Sequence, residues 1–218
     1  MSKAFVSAVA AALAPLADPV RAQGMAAYMK HRFRYLGIPT PARRAACAEL
    51  VRGFAGDPVA AARALWKLEE REYQYVAVDL LRRHANSLDG SDLPALEALT
   101  QGKSWWDSVD GLAPTIGEMV YRNRNLAARM DELVDAEDFW LRRVAILHQL
   151  AWKDETDEQR LFRYCLHCAA EKEFFIRKAI GWALRQYART APDAVSHFVE
   201  KNNGKLSNLS VREATKHL

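Results

Sequence analysis

Glycine and proline are scarce, with 10 and 8 in 218 residues, well below the ~12% that average usage would give. So little turn chemistry leaves no punctuation for a fold of many short strands. Cysteine is scarcer still. Cys47, Cys165 and Cys168 are too few for the disulfide framework of a small secreted module, and they fit a reducing compartment. No stretch approaches the ~18 consecutive apolar residues of a membrane span. The apolar run Ala4–Leu16 follows Lys3 and superficially resembles a secretory signal. It is alanine-rich, contains Ser7 and spaces Phe5, Val9, Leu13 and Leu16 at helical intervals, so it reads as a first amphipathic helix. Glycine-rich phosphate loops, serine nucleophile elbows and His-Glu-x-x-His pairs are all missing. Charge of one sign is not in large excess either. Thirty-one Lys and Arg against 27 Asp and Glu leave +4, which matters only if the cations cluster.

What the chain does have is helix formers. Hydrophobic residues make up 50% and charged residues 27%, an ordinary balance for a folded protein. Alanine, leucine, arginine and glutamate dominate, and all favour helices. The expected class is all-α. At this length one large domain or two small ones are open, and internal similarity favours one. Trp140-Leu-Arg-Arg143-Val-Ala145, Phe174-Phe-Ile-Arg177-Lys-Ala179 and Leu209-Ser-Val-Arg212-Glu-Ala214 align at offsets of 34 and 35 residues. Steps of the same size lead back from Trp140 to Trp106, Glu72 and Ile38. Helix pairs that cannot cover their apolar faces alone stack on their neighbours. The reading is a single domain over residues 1–218, with about six antiparallel HEAT-like helix pairs stacked into a curved right-handed solenoid. The tetratricopeptide consensus, which shares this period, is missing.

Three helices carry unusual residues. In Gly102-Lys-Ser-Trp-Trp-Asp-Ser-Val-Asp110, Ser104 and Asp107 have the spacing of a capping box, predicting a helix from Trp105. Trp105, Val109 and Leu112 then face the core, and Trp106 and Asp110, four apart, share another face. That face is either a packed ring beside a salt bridge or a site. In the predicted helix Phe174–Arg189, residues Ile176, Ala179, Ile180, Ala183, Leu184 and Tyr187 form the apolar face. Lys178, Trp182, Arg185 and Arg189 form a cationic stripe with an aromatic inside it. Such a stripe suits nucleic acid, its cations neutralising phosphates and its ring packing on sugar or base. A tryptophan covered by arginine stems is the plainer alternative. In the third helix, Trp140–Lys153, the residues Trp140, Val144, Leu147 and Ala151 form the core seam. Arg143 lies at the edge of an apolar run, where it needs an anion. Asp110 and a phosphate both qualify. Cys165-Leu-His-Cys168 has knuckle-like spacing but no second ligand pair, so it is assigned to packing and no metal site is expected.

These stretches resemble the DNA alkylation repair family, the AlkD-type 3-methyladenine/7-methylguanine DNA glycosylases built from HEAT-like repeats. The similarity runs from Tyr28-Met-Lys-x-x-Phe-x-x-Leu-Gly-Ile38 to the Trp182 helix. It is most specific in Lys103–Asp110, in Arg143-Val-Ala-Ile-Leu and in Lys172–Arg185. The chain departs at Pro39, where some relatives carry a polar side chain. The resemblance implies a concave basic face cradling duplex DNA, with Asp110, Trp106 and Trp182 as catalytic residues. Arg143, Lys178, Arg185, Arg189, Lys153 and Tyr28 are the expected DNA contacts. It implies no cofactor, no metal and no membrane partner. The expected protein is a monomer acting on alkylated purines in duplex DNA, in the cytoplasm at the nucleoid.

The chemistry agrees with this set. Alkylation at N3 or N7 puts a positive charge on a purine and makes it a good leaving group. The glycosidic bond then breaks through an oxocarbenium-like sugar, which one carboxylate can stabilise and tryptophan faces can attract. A catalytically silent DNA-binding scaffold and a protein-interaction adaptor are the competing readings. An adaptor has no use for Trp106, Asp110 and Trp182 together.

Overall fold

The prolines that are present sit mainly where helices begin. Pro19, Pro41, Pro58 and Pro192 each fall in a first helical turn, where a missing N–H costs nothing and the fixed φ suits the helix. Aspartates supply many of the caps. Asp57 accepts from the amides of Val59 and Ala60 at 2.8 and 2.9 Å, and Asp18, Asp138 and Asp157 cap in the same way.

The computed structural model describes residues 2–218. It is all-helical, as expected, and among the described residues there is no strand, only an isolated bridge between Arg34 and Glu70. Among the described residues, thirteen α-helices fall into two compact units. The first holds the residues up to Leu88 together with Pro94–Gly102, and the second holds Asp89–Leu93 and Lys103–Leu218.

In the first unit α1 (Ser2–Leu13) packs on α3 (Thr40–Arg52) and α4 (Pro58–Trp66), and both pack on α5 (Arg71–Arg83). Val9, Leu13, Ile38, Leu65, Leu80 and Leu81 are buried between them. The short α2 (Pro19–Tyr28) buries none of its side chains. Buried Glu72 accepts from the amides of Leu36, Gly37 and Ile38 at 2.9–3.1 Å, anchoring a loop with no secondary structure of its own. Gly37 there has φ +87°, and a Cβ would lie 2.1 Å from the Asp18 carbonyl. The end of α6 (Leu93–Gln101) is tied down by Trp66, whose Nε1 donates to Gly102 O at 2.8 Å.

In the second unit every other helix packs on the next. The row runs α7 (Trp106–Arg122), α9 (Phe139–Leu147), α11 (Phe174–Tyr187) and α13 (Asn208–Ala214). Between them run α8 (Ala127–Leu133), α10 (Glu158–His167) and α12 (Pro192–Lys201). This is the packing that stacked helix pairs make. Polar links recur 29–33 residues apart. Asp110 meets Arg143 33 residues on, Asp131 meets Arg160 29 on and Arg142 meets Glu171 29 on. Cys165 and Cys168 are fully buried, and burial pushes the Cys168 thiol up to about 12. Cys47 in the first unit is buried too, with its thiol raised by the same cause.

Two predicted helix C-termini move. The third helix stops at Leu147, well short of Lys153, and Ala151 is exposed rather than part of the core seam. The buried His148 causes this. Its Nδ1 lies 2.6 Å from Ala145 O, the carbonyl that the next helical amide would use. The chain continues in tight turns, with Leu150 bonded to Leu147 and Trp152 to Gln149, and Lys153 takes φ +53°. The predicted Phe174–Arg189 helix ends at Tyr187, which leaves Arg189 exposed beyond it.

Gly117 on α7 allows α9 to approach closely, since a Cβ there would sit 1.9 Å from the His148 carbonyl. Gly117→Ala should therefore cost about 3 kcal/mol, the upper part of the overpacking range, in chemical denaturation. His148 adds an acid sensitivity, because burial pushes its imidazole down from 6.5 to about 4. Its stabilising contribution is complete above pH ~6.5, where the unfolded ring is also neutral. It is lost as pH falls towards 4, because the unfolded ring takes a proton first. The loss should reach roughly 3 kcal/mol. His148→Gln should flatten the pH dependence of unfolding over that window.

Candidate active site

Six of the residues singled out in the sequence meet in one cleft of about 290 Å3, all within the second unit. Trp106 and Asp110 reach it from α7, Arg143 from α9, and Lys178, Trp182 and Arg185 from α11. Phe174, Phe175 and Glu213 complete the lining.

The α7 end of the cleft starts one residue later than the capping pattern indicates. Trp105 is the capping residue, in extended conformation, with no side-chain cap bond. Its ring is drawn out of the helix into a cluster with Trp140 and Phe175, at centroid distances of 5.9 and 5.0 Å. Lys103 just upstream takes φ +52°. Asp107 falls in the first turn, where a negative charge suits the helix dipole, rather than in a capping box. Val109 and Leu112 are buried as expected, and Trp106 and Asp110 are left on the cleft face. Pro114 lies inside the helix four residues after Asp110. Having no N–H, it cannot close the turn that carries the carboxylate.

Of the two partners open to Arg143, the structure has Asp110. Arg143 Nε and Nη2 donate to Asp110 Oδ1 and Oδ2 at 2.7 and 2.8 Å, a fork-to-fork pair. Nη1 donates to the carbonyl of Phe175 at the start of α11. Arg143 is only 4% exposed, so its guanidinium faces Asp110 rather than solvent. The Asp110 side chain is 17% exposed, at the cleft surface. Burial raises its carboxyl above the usual aspartate value, and the bonds from Arg143 oppose that rise.

The cationic stripe is present and partly paired. Glu213 Oε1 lies 3.0 Å from Lys178 Nζ, and Oε2 accepts from Arg185 Nη1 at 2.8 Å. The hydrogen bond from Lys178 does most to hold the Glu213 carboxyl below its ordinary value, and Arg185 adds to it. Phe174 is 54% exposed at the cleft and stacks edge-on against Phe175. Arg189 and Lys153 line a second cleft of about 280 Å3 with Gln149, Gln186 and Tyr187. Tyr28 belongs to the first unit, where it is 72% exposed.

Glu213 and the two phenylalanines are the lining residues that motif reading missed. The aligned repeats held the signal for Glu213, which falls at the position of Lys178 one repeat later. Phe174 and Phe175 lie inside a quoted motif but look like core from their type alone.

Residues 9–218 match the family described as DNA alkylation repair enzyme. The chain belongs to the DNA alkylation repair family. A solved structure of a predicted DNA alkylation repair enzyme from Enterococcus faecalis is similar at 36% identity, with a TM-score of 0.86. The match covers 93% of this chain and 96% of that one. No curated protein matches significantly. Within this alkylation repair protein no group of three or more His, Cys, Asp or Glu among the described residues could hold a metal. No single described helix is long and apolar enough to cross a membrane.

The pair at the centre of the cleft is testable by stability alone. Arg143→Ala should leave the Asp110 carboxylate desolvated without its partner, costing roughly 3 kcal/mol at neutral pH. The deficit should shrink as the pH falls and Asp110 takes a proton. Denaturant melts at pH 7 and pH 4.5 measure both effects.

Proposed function

We propose that this member of the DNA alkylation repair family is a DNA glycosylase, hydrolysing the N-glycosidic bond of cationic N3- and N7-alkylated purines in duplex DNA. The observation that carries this reading is the Asp110 carboxylate. It is held bidentate by a buried arginine, opens onto a cleft and is flanked there by Trp106 and Trp182. A carboxylate fixed in that way needs little reorganisation when positive charge develops beside it, which is where electrostatic stabilisation is strongest.

In this mechanism the bond between C1′ and the purine nitrogen breaks with both electrons going to the base. The base leaves neutral, so it needs no protonating acid. Positive charge passes to the sugar, where Asp110 stabilises it and orients a water whose oxygen adds to C1′. The water's proton leaves to Asp110 or solvent. The faces of Trp106 and Trp182 favour a cationic lesion. Lys178, Arg185, Arg189, Lys153 and Tyr28 are assigned to the sugar–phosphate backbone. Arg143 is assigned to holding Asp110, since its donors already serve Asp110 and Phe175.

Single-turnover base release from an N7-methylguanine duplex tests this. Asp110→Asn keeps the shape but removes the charge and one of the two acceptors facing Arg143, so excision should slow by about 10²–10³-fold, or ~3–4 kcal/mol. Excision by Asp110→Asn at the wild-type rate would remove Asp110 from the chemistry. A wild type that binds duplex DNA and releases no base would leave a silent scaffold.

A further inference from the structure

Glu213 bridges the two cations of the α11 stripe. Lys178 and Arg185 lie seven residues apart on α11, about 10.5 Å along the helix axis, so only an anion seated between them can hold both. One carboxylate from another helix does so, with one oxygen on each cation. Phosphate oxygens recognise a lysine and an arginine in the same manner. The seat is built by close packing. A Cβ on Gly181 would lie 2.4 Å from Glu213 Cβ, so only glycine lets α13 come so near. Ser210 Oγ also donates to Arg177 O at 3.0 Å across the same helix pair. Glu213 itself is mostly covered, whereas the Lys178 side chain is 36% exposed. An arriving anion can thus reach the cation before the carboxylate leaves it.

We propose that Glu213 is an internal stand-in for a backbone phosphate, holding Lys178 and Arg185 when no duplex is bound and yielding them on binding. This rests on the duplex-DNA reading above. Each duplex must then displace a carboxylate that is already paired, so affinity for undamaged and product DNA is kept down. A repair protein searching among a large excess of undamaged sites gains turnover from that restraint.

Glu213→Gln keeps the shape without the charge, and Glu213→Ala keeps the Cβ that packs on Gly181. Thermal melts identify the variants that fold. Undamaged-duplex affinity should then be measured against salt, and excision in single and multiple turnover. Loss of the carboxylate should tighten binding about three- to tenfold near 0.1 M salt. It should also steepen the salt slope by about 1–2 as one or both cations engage phosphate. Multiple turnover should slow relative to single turnover, because product DNA leaves later. Variants that bind no more tightly than a wild type that binds and excises would overturn this inference alone. They would make Glu213 an anchor that merely positions the two cations. A wild type with no duplex affinity would overturn the functional reading together with it.

Discussion

A guanidinium cannot shed its proton to escape burial, so Arg143 has to be given anions wherever the fold puts it. It is given the fork of Asp110 from α7 and the carbonyl of Phe175 from α11, while its own backbone belongs to α9. One side chain thereby sets the register of three consecutive helices in the row. Bringing such a pair out of water offsets most of the attraction within it, so its net contribution to stability is small. What it provides is aim. The Asp110 carboxylate can sit in only one orientation, and that orientation opens onto the cleft.

The charges around the cleft alternate rather than pool. Asp110 is matched by Arg143, and Lys178 and Arg185 by Glu213. A purely cationic wall would attract phosphate strongly and repel a positively charged base. On the proposed reading, the mixed arrangement offers a cationic base a carboxylate and aromatic faces, with each positive charge of the lining already matched by a carboxylate. Burial already disfavours the Asp110 carboxylate, as its raised pKa shows. Its charge is therefore held by Arg143, and because the carboxylate is mostly covered, the stabilisation it can offer a neighbouring cation is screened less than in open water.

The class of fold and most of the cleft were legible because both depend on short-range spacing. Ile176, Ala179, Ile180 and Ala183 announce a buried helix face, and Trp106 with Asp110 announces the opposite one. What the sequence hid were effects of tertiary partners. Ser104 and Asp107 have the spacing of a cap, but the ring cluster at Trp140 and Phe175 draws Trp105 outside the helix and moves its start. The end of α9 depends on one histidine side chain taking a backbone carbonyl, which no periodicity encodes. Glu213 is an ordinary acid in an ordinary helix until α13 packs on α11. It was visible only as a reversal of charge between aligned repeats.

The three thiols give the molecule a further character. Cys47, Cys165 and Cys168 are all buried, with thiolates disfavoured by burial. The thiolate is the form that attacks electrophiles, so none of the three cysteines offers an alkylating agent a ready nucleophile. Direct methyl transfer onto a cysteine is disfavoured by the same burial.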